Sequence, residues 1–318
     1  MKTAPELSVV LPVYNEAPIL RQLFARLHSA LATLGRPYEI IAVDDGSRDD
    51  SFALLRHEAE KDKRVVALRF PRNSGQTAAL AAGIEAAQGT IIVTMDSDLE
   101  NDPADIARLL DKLDEGYGVV SGWRAGRWQG SYLTRKLPSE LANWLIGSLT
   151  GIKLHDYGCT LKAYRAEFVK PINLYGQMHR FIPAYAAWQG ALIAEIPVAH
   201  TPRAYGKSNY GAGRIFRVLL DLVTLVFLQR YMNRPMHFFG GWGFAALLLG
   251  LLAGLLAVVL RLSIGLHLVQ TPLPILAALL LIVGLQLVLF GVVAEVLMRT
   301  YYESQGRRPY SVRERAGH

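Results

Sequence analysis

Two carboxylates separated by a single residue, Asp96 and Asp98, are the side chains in this sequence best placed to do chemistry. They directly follow an apolar run, residues 90–95, which is typical of a buried strand. Carboxylates at the end of a strand can both reach one hard cation, which prefers oxygen ligands and often bridges protein carboxylates to substrate phosphates. The pair therefore predicts a metal and diphosphate site at the carboxyl edge of a parallel sheet. The competing interpretation is helix capping, because Asp102 and Pro103 resemble a helix start.

Similar polar segments follow three other predicted strands. Strand and helix patterns alternate through the first half of the chain, which favours an α/β fold with a mainly parallel sheet and helices on both faces. In such a sheet the loops at the carboxyl ends of the strands share one edge, where ligands bind. Each loop alone could be an ordinary turn, but four in succession argue against coincidence. The four segments are residues 12–16, 44–47, 73–76 and 96–98.

The elements that carry these loops follow from hydrophobic periodicity. Apolar runs predict strands, and apolar residues at helical spacing predict helices between the early strands. The predicted strands cover residues 7–13, 38–43, 64–70, 90–95, 118–122, 159–164 and 192–198. The predicted early helices cover residues 19–34, 51–61 and 77–87.

Two long apolar runs near the C-terminus predict a membrane hairpin. Residues 238–260 contain no charge and residues 274–298 contain only Glu295, and each run is long enough to cross a bilayer. A hairpin buried in a large soluble core is disfavoured because the runs are apolar on every side. Arginines flank both ends of the hairpin, whereas the link 261–273 contains a single arginine. The positive-inside rule therefore predicts that both ends and the N-terminal domain are cytoplasmic.

Between the two regions, residues 211–233 carry an apolar stripe interrupted by arginines, which favours an amphipathic helix at the membrane surface over an ordinary domain helix. The sequence thus predicts four parts. These are an α/β domain at residues 1–210, a juxtamembrane region at 211–235, two membrane helices at 236–300 and a basic cytoplasmic tail at 301–318.

The formal net charge of +7 comes from an arginine surplus near the predicted membrane region. This placement is explained better by anionic lipid headgroups than by nucleic acid, and no nucleic-acid-binding motif accompanies the basic residues. Cys159 is the only cysteine, so no internal disulfide forms.

Four segments in order, VVLPVYNE, VDDGS, NSGQTAALAAG and MDSDLE, resemble glycosyltransferase family 2. Residues 156–159, 179–183 and 202–208, together with the hairpin, resemble its polyprenyl-phosphate glycosyltransferases, such as dolichyl-phosphate mannose synthase and the bacterial undecaprenyl-phosphate glucosyl- and aminoarabinosyltransferases. The resemblance covers nearly the whole chain, and the ordered set of motifs is specific although each alone is weak. It implies a GT-A domain and an inverting transfer of a sugar from a nucleotide donor to the phosphate of a membrane polyprenol, at the cytoplasmic face of a bacterial inner membrane.

The resemblance also implies roles for residues on the donor side. The residues expected to bind the nucleotide sugar are Pro12, Tyr14, Glu16, Asp45, Gln76 and Asp96. Asp96 and Asp98 are expected to hold Mg²⁺ or Mn²⁺ with the donor diphosphate, and Asp98 is a candidate catalytic residue. The family usually has Gln where this chain has Glu100, so the additional carboxylate is expected either to join the metal ligands or to alter the metal preference.

On the acceptor side, a lipid phosphate needs fixed cations. The candidates are Arg124, Arg135, Arg203 and Lys207, and the arginines at 124 and 203 are also candidate catalytic residues. Asp156 is a further catalytic candidate, but the attacking phosphate oxygen is already largely ionised, since its second pKa is about 6. Asp156 could therefore act as a base, orient the acceptor or stabilise positive charge at the sugar carbon.

The sequence favours transfer from a UDP-sugar, first of all UDP-glucose, to undecaprenyl phosphate. A UDP-linked aminoarabinose, a UDP-uronic acid and GDP-mannose are alternative donors. A processive polysaccharide synthase is disfavoured because the chain has two spans and no Q-x-x-R-W segment. A membrane scaffold with a decayed transferase domain is disfavoured by the intact Asp96 and Asp98 pair. The resemblance also favours a homo-oligomer.

Overall fold

The computed structural model describes residues 4–125, 137–174, 176, 178–201, 224, 227, 231 and 234–305. The chain divides into two compact units, residues 1–221 and 222–318. The four-part division expected from the sequence stays a prediction. Three candidate acceptor residues, Arg135, Arg203 and Lys207, lie outside the described residues.

The first unit is built on a sheet that, in the described part of the chain, has seven strands. They are β1 (Leu7–Val13), β2 (Tyr38–Asp44), β3 (Val65–Arg69), β4 (Ile91–Thr94), β5 (Val119–Trp123), β6 (Lys162–Arg165) and β7 (Ile193–Pro197). The spatial order is β3-β2-β1-β4-β6-β5-β7. Each strand overlaps a strand predicted from the sequence, and β1, β2 and β4 are buried along their whole length, as continuous apolar runs predict.

Helices cover both faces of this sheet. They are α1 (Ala17–Ala32), α2 (Ser51–Lys61), α3 (Gln76–Ala86), α4 (Asp105–Asp114), α5 (Leu137–Thr150), α6 (Ala166–Val169) and α7 (Ile182–Trp188), the last preceded by a 3₁₀ turn at Met178–Phe181. Alternate residues of β1 face opposite layers. Val9 and Leu11 pack in the layer that contains Leu27 of α1, whereas Val10 packs in the layer that contains Leu80 of α3.

The direction of β6 brings the later part of the chain to the same edge as the early loops. Strands β1 to β4 are parallel to one another, β6 is antiparallel to both β4 and β5, and β7 is parallel to β5. The carboxyl ends of β4 and β5 therefore lie at the edge where β6 begins. The segment that leads into β6, residues 156–161, consequently lies beside residues 95–98 and 124.

The second unit contains two long helices, α8 (Pro235–Ile264) and α9 (Leu273–Gln305), joined by a link with a 3₁₀ turn at Leu268–Gln270. The stretches Pro235–Ile264 and Leu273–Met298 are long and apolar enough to cross a membrane. Most of their large apolar side chains are exposed, as expected for helices surrounded by lipid.

Small residues allow the two helices to approach closely. A Cβ atom added to Gly243 would lie 2.9 Å from the carbonyl oxygen of Gly284, and one added to Gly284 would lie 2.8 Å from the carbonyl oxygen of Gly243. Such contacts are typical of membrane helix pairs, in which packing between backbones replaces the hydrophobic driving force. Of the predicted amphipathic segment 211–233, only Thr224, Phe227 and Tyr231 belong to the described residues, and all three are helical.

Candidate active site

The loop after β4 holds the two carboxylates that the sequence singles out. The Asp98 side chain accepts a hydrogen bond from the backbone N–H of Glu100 at 3.0 Å, which closes a tight turn around Leu99. Leu99 has a φ of 60°, a left-handed conformation that is strained for a leucine. The Ser97 hydroxyl donates to the carbonyl oxygen of Pro12 at 2.9 Å and fastens the loop to β1. The turn is therefore held in one shape by contacts at both ends.

Asp96 is the more perturbed member of the pair. Burial, followed by the negative charge of Asp98, raises the pKa of Asp96 to about 6. The side-chain amide of Gln76 donates to Asp96 Oδ1 at 2.7 Å, so the residue that begins α3 orients this carboxylate. Two neighbouring acids, one of them buried with a raised pKa, form a site that a divalent cation would stabilise, and carboxylate oxygens suit Mg²⁺ or Mn²⁺.

Glu100 does not complete a three-carboxylate site with Asp96 and Asp98. Among the described residues, no group of three or more His, Cys, Asp or Glu side chains lies close enough together to hold a metal ion. The Glu100 carboxylate instead lies 3.7 Å from a terminal guanidinium nitrogen of Arg124. That Glu100 joins the metal ligands stays a prediction; in this structure the Arg124 guanidinium is the cation that attracts it.

The loops after β2 and β3 meet through Asp45. Its buried carboxylate accepts hydrogen bonds from the backbone N–H groups of Ser74 and Gly75, at 2.6 and 2.9 Å. Gly75 has a φ of 94°, a conformation that glycine adopts without strain. Asp45 therefore shapes the loop that starts α3 and brings Gln76 toward Asp96.

The loop after β1 is fastened to the loop after β2. The N–H of Asn15 donates to the hydroxyl of Ser47, and the N–H of Glu16 donates to the hydroxyl of Ser51, both at 2.9 Å. Tyr14 is exposed at this edge, whereas Pro12 is buried within β1. The loop thus presents one exposed aromatic ring beside Asp45, an arrangement suited to stacking with a planar base.

Arg124 and Asp156 form a buried ion pair at the same edge. The guanidinium donates from Nε to Asp156 Oδ2 at 2.8 Å and from Nη2 to Asp156 Oδ1 at 3.2 Å. The N–H of Gly158 donates to Asp156 Oδ1 at 3.0 Å. The fork of Arg124 is directed at the Asp156 carboxylate, and Glu100 lies near its remaining terminal nitrogen. Binding of the acceptor phosphate by Arg124 stays a prediction.

A buried lysine lies behind this ion pair and was missed by sequence reasoning. The Lys162 ammonium donates to the carbonyl oxygens of Tyr157, at 3.3 Å, and of Cys159. Burial lowers the pKa of Lys162 and raises the pKa of the Cys159 thiol to about 11. The lysine ties down the segment that follows Asp156. The sequence feature that could have revealed Lys162 is its position as a charged residue inside the predicted strand 159–164.

The sequence placed His179 in a segment that resembles the family without giving it a role, and it gave no role to Glu195. The His179 ring, which is buried, lies with Nδ1 2.7 Å from the hydroxyl of Thr77 on α3. Glu195 lies within β7 and contacts the segment that contains Asp156. The sequence feature that could have revealed Glu195 is its position as the one carboxylate among the apolar residues of the predicted strand 192–198.

The fold and the arrangement of the candidate site agree with the proteins that this chain is similar to. Residues 8–172 match the model of the family described as glycosyl transferase family 2. A dodecaprenyl-phosphate galacturonate synthase from Rhizobium johnstonii is 42% identical over 318 residues, which cover 97% of this chain and 92% of the relative. An undecaprenyl-phosphate 4-deoxy-4-formamido-L-arabinose transferase from Pseudomonas aeruginosa is 40% identical over 302 residues, covering 94% of this chain and 87% of that protein.

Among solved structures, glucosyl-3-phosphoglycerate synthase from Mycobacterium tuberculosis, in complex with Mn²⁺, uridine diphosphate and phosphoglyceric acid, has a TM-score of 0.53 and 20% sequence identity. The match covers 71% of this chain and 78% of that chain. At this identity the likeness concerns the fold, and it agrees with the α/β unit described above.

Proposed function

This chain belongs to glycosyl transferase family 2, among the polyprenyl-phosphate glycosyltransferases, and we propose that it transfers a sugar from a nucleoside diphosphate onto the phosphate of a membrane polyprenol with inversion at the sugar carbon. The observation that carries this proposal is the meeting of two different charged pairs at one sheet edge. Asp96 and Asp98 suit a metal-bound diphosphate, and Arg124 with Asp156 lies beside them.

On the donor side, the loops after β1, β2 and β3 form the nucleoside pocket. Tyr14 is placed to stack on the base, and Asp45 keeps the loop at Ser74 and Gly75 in shape. Asp96 and Asp98 would hold Mg²⁺ or Mn²⁺, and a bound divalent cation would supply positive charge to stabilise the departing diphosphate. Gln76 keeps Asp96 aimed at this position.

On the acceptor side, a phosphate oxygen attacks without prior removal of a proton, because its second pKa is about 6. Asp156 therefore acts by orientation and by stabilising positive charge at the sugar carbon. Its engagement with Arg124 and the Gly158 N–H supports this role over that of a base, since these donors already occupy its oxygens. Arg124, Arg135, Arg203 and Lys207 are proposed to bind the acceptor phosphate.

The donor sugar is proposed from the relatives. The two relatives are a galacturonate synthase and a 4-deoxy-4-formamido-L-arabinose transferase, so we place the UDP-linked uronic acid first, the UDP-linked aminopentose second and UDP-glucose after both. We also propose that the chain is an integral protein of a bacterial inner membrane, that its catalytic domain and both ends are cytoplasmic, and that it is a homo-oligomer.

The test is transfer by the purified full chain in detergent. The protein is incubated with undecaprenyl phosphate, Mn²⁺ and, one at a time, the radiolabelled UDP-galacturonate, UDP-4-deoxy-4-formamido-arabinose, UDP-glucose and GDP-mannose. We expect labelled lipid from one donor, and we expect Asp98→Asn or a chelator to reduce its rate at least about 100-fold. The matched control is Asp111→Asn, which changes an exposed acid on α4. No labelled lipid from any donor would favour a scaffold, and activity that survives chelation would remove the metal from the proposal.

A further inference from the structure

Glu195, in the middle of β7, makes an unusual set of contacts for a strand residue. Its side chain is 10% exposed. One carboxylate oxygen, Oε1, accepts from the backbone N–H groups of His155 and Asp156, at 3.0 and 3.1 Å. The other, Oε2, lies 3.0 Å from the His155 backbone nitrogen and 2.7 Å from Nδ1 of its ring. One carboxylate therefore holds two consecutive residues of the chain.

The segment held in this way carries one member of the buried ion pair. The N–H of Asp156 points to Glu195, and the Asp156 carboxylate points to Arg124. Because Glu195 fixes the backbone at Asp156, it also fixes the position of the Cα atom from which the Asp156 side chain extends. A direct chain of hydrogen bonds thus runs from β7 through Asp156 to Arg124 and β5.

A second contact holds the same segment from the other side. The rings of Trp123 and His155 are stacked, with centroids 4.4 Å apart and an angle of 23° between their planes. Trp123 immediately precedes Arg124, and His155 immediately precedes Asp156. Each member of the ion pair therefore follows a residue of this stack, and Glu195 holds the His155 ring in it.

We propose that Glu195 is a positioning residue for the transfer reaction, acting through Asp156. This inference rests on the proposed function, in which Asp156 orients the acceptor. Removal of the carboxylate leaves the N–H groups of His155 and Asp156 without their acceptor, so the segment shifts to find water or another partner. A displacement of about 1 Å at a reacting group lowers a rate by about 100-fold.

Two variants separate positioning from general stability. Glu195→Ala removes the acceptor, whereas Glu195→Gln keeps a carbonyl oxygen that can accept from both N–H groups. We expect Glu195→Ala to lower kcat about 10- to 100-fold, with the donor KM within about twofold, because, in the described part of the chain, Glu195 hydrogen-bonds to His155 and Asp156 rather than to the loops after β1 to β4. Glu195→Gln should restore most of kcat. Hydrogen exchange of the segment 155–158 should accelerate in the alanine variant and stay slow in the glutamine variant.

A double-mutant cycle shows whether Glu195 acts through Asp156. In an Asp156→Asn background, measured with radiolabelled donor because turnover is slow, Glu195→Ala should change kcat by no more than about twofold. An equal loss in both backgrounds would overturn the inference, since Glu195 would then act independently of Asp156. An unchanged kcat for Glu195→Ala in the otherwise wild-type chain would overturn it as well.

The matched control is Glu39, another buried carboxylate of the sheet. Its carboxylate accepts hydrogen bonds from the hydroxyl of Ser8 and the backbone N–H of Gln88, both at 2.6 Å. It lies near the start of β2, at the opposite edge from the site. Glu39→Ala should lower the melting temperature and leave kcat unchanged, and an equal loss of kcat in this control would show that Glu195 acts only through stability.

A wild-type chain that transfers no sugar from any donor would overturn the proposed function and this inference together, whereas an active wild type with unaffected Glu195 variants would overturn this inference alone.

Discussion

The Arg124 guanidinium donates two hydrogen bonds to the Asp156 carboxylate, and the two side chains are only 3% and 13% exposed. A bidentate pair of this kind has a fixed geometry that neither a lysine nor an asparagine reproduces. Because both groups are removed from water, losing one partner leaves a buried charge uncompensated, at a cost of about 3–5 kcal/mol. The pair therefore links the end of β5 to the segment before β6 and fixes the position of a proposed catalytic carboxylate.

The first prediction concerns Arg124→Lys. The ammonium keeps the charge but loses the fork, so we expect a lower melting temperature and a kcat reduced about 100-fold. Thermal unfolding in detergent and the transfer assay measure the two effects. Arg108→Lys is the matched control, because Arg108 is half exposed and pairs with Asp105 on α4 at 2.8 Å. It should change stability by less than about 0.5 kcal/mol, and a similar loss in both variants would contradict a special role for the Arg124 fork.

The second prediction concerns the role of Asp156. If Asp156 orients the acceptor, Asp156→Asn should lower kcat by the same factor, within about twofold, at pH 6 and at pH 8. If Asp156 were only a base, the loss would be smaller at pH 8, where more of the acceptor phosphate is already ionised. The measurement is kcat of both proteins at the two pH values with saturating substrates. A tenfold smaller loss at pH 8 would contradict the orienting role.

The third prediction concerns the pH dependence of metal binding. Without metal, the pKa of Asp96 is raised to about 6, so below pH 6 protons compete with the cation for this carboxylate. We expect the Kd for Mn²⁺, measured by calorimetry, to rise by up to about tenfold for each pH unit below 6 and to level off above pH 7.

The same shift affects the stability of the metal-free protein. The folded-state pKa lies above the ordinary value of 3.8, so the contribution of Asp96 to stability is largest at low pH and decreases as the pH rises from about 4 to about 6. Asp96→Asn should weaken Mn²⁺ binding at every pH and remove this part of the stability profile. A Kd for the wild type that is flat between pH 5 and pH 7 would contradict the prediction.

The sequence predicted the donor edge because its signals are local. Apolar runs marked β1 to β4, and each polar loop directly follows its own strand. The Arg124–Asp156 pair could not be predicted in this way. Its members are 32 residues apart, and they meet only because β6 runs antiparallel between β4 and β5. Hydrophobic periodicity identifies a strand but not its direction or its neighbours.

The role of Glu100 was left open by the sequence for a related reason. The spacing from Asp96 and Asp98 places a third acid close to the metal pair, but spacing does not show which cation that acid faces. In the structure the competing cation is Arg124, which arrives from β5. A contact between separate strands thus shows which cation of the protein Glu100 faces, which the local motif could not.

The fourth prediction follows from this contact. Glu100→Gln removes one of the two acids beside Arg124 and leaves Asp96 and Asp98 in place. We expect the Kd for Mn²⁺ to change by no more than about twofold. We expect the acceptor KM to fall, because the Arg124 guanidinium then faces one carboxylate fewer and attracts the acceptor phosphate more strongly. Calorimetry with Mn²⁺ and initial rates at varied undecaprenyl phosphate measure the two quantities. A tenfold weaker affinity for Mn²⁺ in Glu100→Gln would show instead that Glu100 is a metal ligand when the site is loaded.

The last prediction concerns the hairpin, where glycines set the distance between α8 and α9. A Cβ atom on Gly284 would lie 2.8 Å from the carbonyl oxygen of Gly243 and 2.7 Å from the Leu247 side chain, so Gly284→Ala forces the helices apart. We expect a lower melting temperature in detergent and a lower yield of folded protein. Gly241→Ala is the matched control, because its added Cβ atom would meet nothing within 4 Å. Equal stability of the two variants would contradict close packing of α8 against α9, whereas a loss confined to Gly284→Ala would support close approach of the two helices at Gly284.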